Sequence, residues 1–295
     1  MRLKIEILLD LVALVNYKMF NIFNNKLSKI SKFYNLHKNQ DCYIFGDGCS
    51  IKWFDIENFS DKIGIAINFF PFHKKFLKTQ TKYVSFVEPF YFYPFETIWH
   101  LKNFRKKSWL DNITKTINHR QFYVKKIFDE FKNLFFFVNL SNYPTLFNKK
   151  NIIFFYKKTH HPQFDNFFTN AFESKIDPFS GSIRFSISLA IFMGFKECYL
   201  VGCDYTHSPS FSGHWYEKGF GKKNNLQNYN NLFFEIARKY IKIITIVKEN
   251  EKSDYIDYIN YENFTGKKLN YKENTELAEN SFLKVMSTWP GYEIF

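Results

Sequence analysis

Residues 181–204 read GSIRFSISLAIFMGFKECYLVGCD, from Gly181 to Asp204, and this stretch decides the fold. Gly181 and Ser182 open an apolar helix predicted over Ile183–Met193. Gly194 suits the position just past its end, and Cys198–Val201 follows as a short β-rich run. A helix turned back into a buried strand is half of a parallel βαβ unit. Asp204 then emerges at the carboxyl end of that strand, the side on which open α/β sheets hold their ligands. Gly181 and Ser182 fall where a helix start turns free N–H groups and a positive dipole end toward an anion.

Outward from this segment the same alternation covers most of the chain. Strands are predicted at Cys42–Phe45, Ile63–Ile67, Tyr83–Val87, Leu134–Val138, Ile152–Tyr156 and Ile241–Val247, several of them continuous apolar runs of the kind buried on both faces. Helical patterns at Asn103–Trp109, Phe122–Phe131, Phe164–Phe172 and Leu226–Tyr240 lie between them. The expected fold class is α/β, a Rossmann-like, mainly parallel sheet flanked by helices. It is expected to carry an N-terminal amphipathic helix and a C-terminal tail. The division expected is a basic segment 1–40, a nucleotide-binding domain 41–250, and a polar tail or lid 251–295.

Composition narrows the partners. The 295 residues hold 41 Lys and Arg against 28 Asp and Glu, a net charge of +13 that points to anions. The aromatic fraction of 21% excludes a disordered or collagen-like chain. Its rings cluster in nearly pure runs such as Phe69–Phe72 and Leu134–Phe137, as core strands do, rather than alternating with cations as on a single-strand stacking platform. Nucleic acid is therefore not the expected partner. Cys42, Cys49, Cys198 and Cys203 form no CxxC pair, which fits a reducing cytoplasm. No apolar stretch is long enough to span a bilayer, since Ile5–Val15 is interrupted by Glu6 and Asp10. Residues 1–40 carry seven basic side chains against those two acids, with Ile5, Leu8, Leu9, Val12 and Val15 on one helical face. Such a helix either lies on an anionic inner leaflet or packs on the domain.

The chemistry-bearing residues follow the strands. Gly46-Asp47-Gly48-Cys49-Ser50 comes directly after the first strand, where glycines allow a sharp turn and backbone N–H groups with Ser50 can donate to a phosphate or ribose. It is not a full GxGxxG, because Ile51 occupies the third glycine position. A long polar loop, Thr206–Gly219, contains His207 and His214. Cys203, His207 and His214 match no compact zinc signature, and no metal is expected. There is no Asp-x-Asp after a strand, no GxSxG elbow and no P-loop.

In this order the motifs resemble those of bacterial lipooligosaccharide sialyltransferases and of the related 6-hydroxymethylpterin diphosphokinase-like family of surface-glycan clusters. Gly46–Ser50 stands in place of the sialyltransferase G-N-G-P-S turn. Asn68 resembles their Asn after the second strand, and Glu88-Pro89 their Asn-Pro pair after the third. Gly181–Asp204 resembles the segment common to both families. Gly221-Lys222 stands where the sialyltransferases place a Gly-His pair, so that catalytic His is not carried over. His214-Trp215-Tyr216 through Lys222 resembles instead a His-aromatic run of the pterin-kinase-like relatives.

The resemblance implies a glycosyltransferase of lipopolysaccharide or other surface-polysaccharide synthesis, cytoplasmic or peripheral on the inner membrane, that uses no cofactor. It would move a sugar from a nucleotide donor, a CMP-nonulosonic acid, to a glycan acceptor. Gly46, Asp47, Gly48, Ser50, Asn68, Glu88, Gly181, Ser182 and Asp204 would surround the nucleotide. His214 would be the general base, and Tyr216 and Lys222 would hold the departing phosphate. The other branch implies Mg²⁺ with ATP and pyrophosphoryl transfer, with Asp47, Glu88 and Asp204 as metal candidates. A third reading, an anion-binding protein without turnover, rests on the net charge alone.

Overall fold

The computed structural model describes residues 27–88, 91–92, 121–146, 148–155, 181–224, 231–288 and 292–295. Eight strands form one sheet: β1 Asp41–Phe45, β2 Ile63–Ile67, β3 Gln80–Phe86, β4 Phe135–Asn139, β5 Ile152–Phe155, β6 Glu197–Val201, β9 Lys242–Val247 and β10 Asp257–Asn260. Two short strands, β7 Ser210–Ser212 and β8 Lys222–Asn224, pair antiparallel beside it. The sheet order is β10-β9-β6-β1-β2-β3-β4-β5, and every pairing in it is parallel. This is the Rossmann-like α/β sheet that the alternating pattern predicts.

The strand sequences explain why both faces are covered. Successive side chains point to opposite faces, so Cys42 and Ile44 enter one core cluster while Tyr43 and Phe45 enter the other. Helices Ser182–Phe192 and Asn231–Ala237 cover the first face, and helix Asn280–Ser287 packs into the second. The aromatic content is spent in these layers. Phe45 stacks on Phe70 at 4.6 Å between ring centres, and Phe155 on Phe185 at 4.1 Å.

From β1 the chain steps outward through β2, β3, β4 and β5, then returns through helix Ser182–Phe192 to β6 on the other side of β1. The carboxyl ends of β1 and β6 therefore flank a topological switch point, where the connections leave in opposite directions and open a crevice.

All seven predicted strands are present within a few residues. The predicted helices at 103–109 and 164–172, the N-terminal helix over 5–15 and Tyr156 lie outside the described residues. Residues 251–295 do more than form a polar tail. They supply β10, an edge strand with little apolar signal in Asp-Tyr-Ile-Asn, and the buried Phe282, Leu283 and Met286. Among the described residues, no helix is long and apolar enough to cross a membrane.

Candidate active site

At the switch point lies a cavity of about 470 Å³. Its walls include Gly46, Asp47, Gly48, Asn68, Gly181, Ser182, Arg184, Asp204, Tyr205 and His214. Most residues singled out from the sequence thus converge, although they come from five separate segments.

The floor is made where β1 and β6 run out side by side. Gly46 N–H donates to Val201 O, and Gly48 N–H to Gly202 O, both at 2.8 Å. A Cβ on Gly48 would lie 2.5 Å from Gly202 O and 2.5 Å from the Asp204 carboxyl carbon. The glycine is thus required by the approach of Asp204 to the turn, at an ordinary φ of −66°. Asp204 is itself buried and triply held. It accepts from the Ser50 backbone N–H at 2.9 Å, from the Ser50 hydroxyl, and from the Cys49 thiol at 3.0 Å. Ser50 is consequently not a cavity residue; its hydrogen-bonding capacity goes to fixing Asp204.

Asp47 faces two ways. Its carboxylate accepts from Phe69 N–H at 3.1 Å and from the Trp215 indole N–H at 3.2 Å, and its carbonyl accepts from Trp215 N–H at 3.1 Å. Burial pushes its acid group up to about 6 despite these donors and the nearby His214. Asp47 therefore ties the β1 turn to the loop that carries His214, in addition to lining the cavity.

Asn68 adopts a left-handed backbone (φ 44°), bonded from its N–H to Ser85 O at 3.0 Å. Its side-chain amide has no protein partner among the described residues. Gly181 (φ 105°), another lining residue, opens helix Ser182–Phe192, with open space where a Cβ would stand. The sharp entry needs the left-handed half of backbone space, which glycine enters freely. Arg184 lines the cavity from within the first turn of that helix, so a cationic side chain joins the helix start in the wall.

His214 pairs as an isolated antiparallel bridge with Gly48, which brings its ring to the glycine turn. Glu217 accepts from His214 at two points, Nδ1 at 2.6 Å and the backbone N–H at 2.8 Å. The ring also stacks on Tyr216 at 4.9 Å and meets Tyr292 edge-on at 5.3 Å. Clamped on its Nδ1 side, the imidazole keeps Nε2 for the cavity. Glu217 escaped the sequence reading, although its i+3 spacing from His214 within one turn was the available signal.

Several expectations are corrected. Tyr216 is buried and does not line the cavity; burial and a hydrogen bond with Tyr292 drive its hydroxyl far above the ordinary tyrosine range, and it supports the His214 ring. Lys222 lies on β8, almost fully exposed and 3.3 Å from Glu293, away from the cavity lining. Glu88 is exposed, with only its carbonyl engaged among the described residues, by Asn142 at 3.3 Å. Asp47, Glu88 and Asp204 therefore do not form one carboxylate cluster, and no group of three potential metal ligands occurs among the described residues. His207 is buried 3.2 Å from Glu251, outside the cavity. The carboxyl-terminal residues pack beside the site through Tyr292 and through a hydrogen bond from Lys218 N–H to Glu293 O.

No protein-family model matches the chain, and no protein of curated function matches it by sequence. Among solved structures it is similar to the sialyltransferase CstII from Campylobacter jejuni in complex with the substrate analogue CMP-3FNeuAc. The identity is 17%, over 85% of this chain and 100% of that one, with a TM-score of 0.44. The apo α-2,3-sialyltransferase from Campylobacter jejuni gives 16% identity, 84% and 94% coverage and a TM-score of 0.41. The MAf glycosyltransferase from Magnetospirillum magneticum AMB-1 gives 13% identity and a TM-score of 0.42, over 90% of this chain and 42% of that one.

Proposed function

We propose that the chain is a glycosyltransferase that moves a sugar from a nucleotide donor, a CMP-activated nonulosonic acid, to a hydroxyl of a glycan acceptor. The observation that carries this reading is His214, held by Glu217 and lining the same switch-point cavity as the helix start that bears Arg184. A base and an anion site lining one cavity of a few hundred cubic ångströms are what displacement of a phosphate leaving group needs.

The step balances without a redox partner. Nε2 of His214 takes the acceptor hydroxyl proton while the acceptor oxygen forms its bond to the anomeric carbon. The bond from that carbon to the phosphate oxygen breaks, and its electron pair leaves with the nucleotide. Glu217 steadies the imidazolium that forms. Arg184 and the N–H groups after Gly181 receive the growing phosphate charge. Asn68, Tyr205 and the Gly46–Gly48 backbone are suited to the nucleoside. The reading routes no step through a metal ion, and the CMP preference and surface-glycan acceptor rest on the sequence resemblance.

Released nucleotide measured across CMP-, UDP- and GDP-sugars tests the proposal. CMP release that requires both acceptor and His214 is expected, with full activity in the presence of a chelator. Undiminished turnover in His214→Ala would remove the base from the mechanism, and binding of nucleotides without turnover of any sugar donor would leave only an anion-binding role.

A further inference from the structure

The amino end of the sheet carries a second surface that has no part in the cavity. Residues 34–40 fold back on the end of helix Ser182–Phe192. Asn35 N–H donates to Phe192 O at 3.0 Å, His37 N–H to Met193 O at 2.8 Å and Asn39 N–H to Gly194 O at 3.1 Å. Lys196 N–H closes the staple on Gln40 O at 2.7 Å. This wall faces the end of helix Asn231–Ala237 and the start of β9 across an open groove. The exposed side chains of Lys38, Lys196, Arg238, Lys239 and Lys242 line it, with Asp257 the one lining carboxylate among the described residues.

Local structure accounts for part of this charge. Arg238 donates from Nε to Phe234 O at 3.3 Å, where a cation suits a helix end, and Lys242 reaches Glu197 at 3.5 Å. Lys38 and Lys239 have no ion pair among the described residues. Apolar side chains are exposed next to these cations in the chain, Tyr240 in the groove lining itself and Tyr34 and Leu36 on either side of the lining residue Asn35. Leu36 is 51% exposed, and Tyr34 and Tyr240 are each 46% exposed. Concentrated lysines with a protruding leucine and half-wet tyrosines match the headgroup region of an anionic bilayer, where ammonium groups meet phosphates and amphipathic rings sit at the boundary. Four of the five cations are lysines, compact charges without the planar fork that reads bases, so nucleic acid fits this face less well.

We propose that this face docks on an anionic membrane surface, with the five cations over lipid phosphates and Leu36 and Tyr240 at the interface. The cavity lies at the opposite, carboxyl end of the strands, so docking leaves its mouth open to solvent.

Flotation of the full chain with vesicles tests the proposal, comparing phosphatidylcholine alone with phosphatidylcholine containing a third phosphatidylglycerol. Binding is expected only to the second, and it should weaken with added salt. The combined change Lys38→Gln, Lys196→Gln and Lys239→Gln should weaken it about 100-fold, at roughly fivefold per lysine, with an unchanged thermal melt. Leu36→Ser should weaken it several-fold by itself, and so reports on the face independently of the lysines. Equal binding to both vesicle types, or lysine and Leu36 variants that bind like the parent, would overturn the proposal. So would binding to an oligonucleotide that is tighter than to the anionic vesicles at the same salt and phosphate concentration and is lost in the same lysine variant, which would give the face to nucleic acid.

Discussion

Glu217 Oε1 accepts two hydrogen bonds from His214, one from Nδ1–H at 2.6 Å and one from the backbone N–H at 2.8 Å. The double contact fixes both the tautomer and the direction of the ring. Glu217→Gln should therefore lower kcat for sugar transfer by about 10- to 100-fold with little change in KM. His214→Ala should lower it about 10²- to 10⁴-fold, as loss of a general base does. Released-nucleotide kinetics measure both, and a KM effect alone in Glu217→Gln would make the pair merely structural.

The proposed function puts the anion site at Arg184, which lines the cavity, rather than at Lys222, which does not. Arg184→Ala should raise the donor KM about 10-fold or more, through loss of a charge-assisted contact. Lys222→Ala removes only an exposed pair with Glu293 and should stay within about 2-fold. The reverse ranking in donor titrations would restore the lysine to the site.

Ser50 separates structure from binding. Ser50→Ala removes the hydroxyl that donates to buried Asp204 and should cost about 1–3 kcal/mol of stability in urea melts. Donor KM should change little in the folded fraction, because the serine faces Asp204 and not the cavity.

His73 is buried against Phe70 and Trp215, and burial holds its imidazole down to about 3. Its folded value lies below the unfolded one, so its stabilising contribution is present above about pH 6.5 and is lost as pH falls toward 3. His73→Phe should lack this slope. Relative to the variant, the parent should lose about 3 kcal/mol between pH 7 and 4.5, followed by denaturant melts at each pH. Asp47, pushed up to about 6, works in the opposite sense over part of that range, which makes the difference between variants the informative quantity.

The sequence alone determined the layers and most of the strand positions. Runs such as Ile63–Ile67 and Ile152–Phe155 are apolar at every position, and a strand with that pattern must be covered on both faces. It also marked the glycine turn and the helix start at Gly181, because left-handed or crowded backbone leaves a composition signature. The strand Asp257–Asn260 was not legible, since an edge strand needs no apolar pattern to take its place beside β9.

Which neighbouring residue does which work was decided only by the tertiary structure. Ser50, Tyr216 and Lys222 are polar residues near the right turns, and sequence spacing cannot distinguish a side chain that faces a cavity from one spent inside the protein. Asp204 claims Ser50, the core claims Tyr216, and solvent claims Lys222. The Glu217 carboxylate reaches His214 because the chain bends back within one turn, and it is the bridge between His214 and Gly48 that carries this pair to the end of β1.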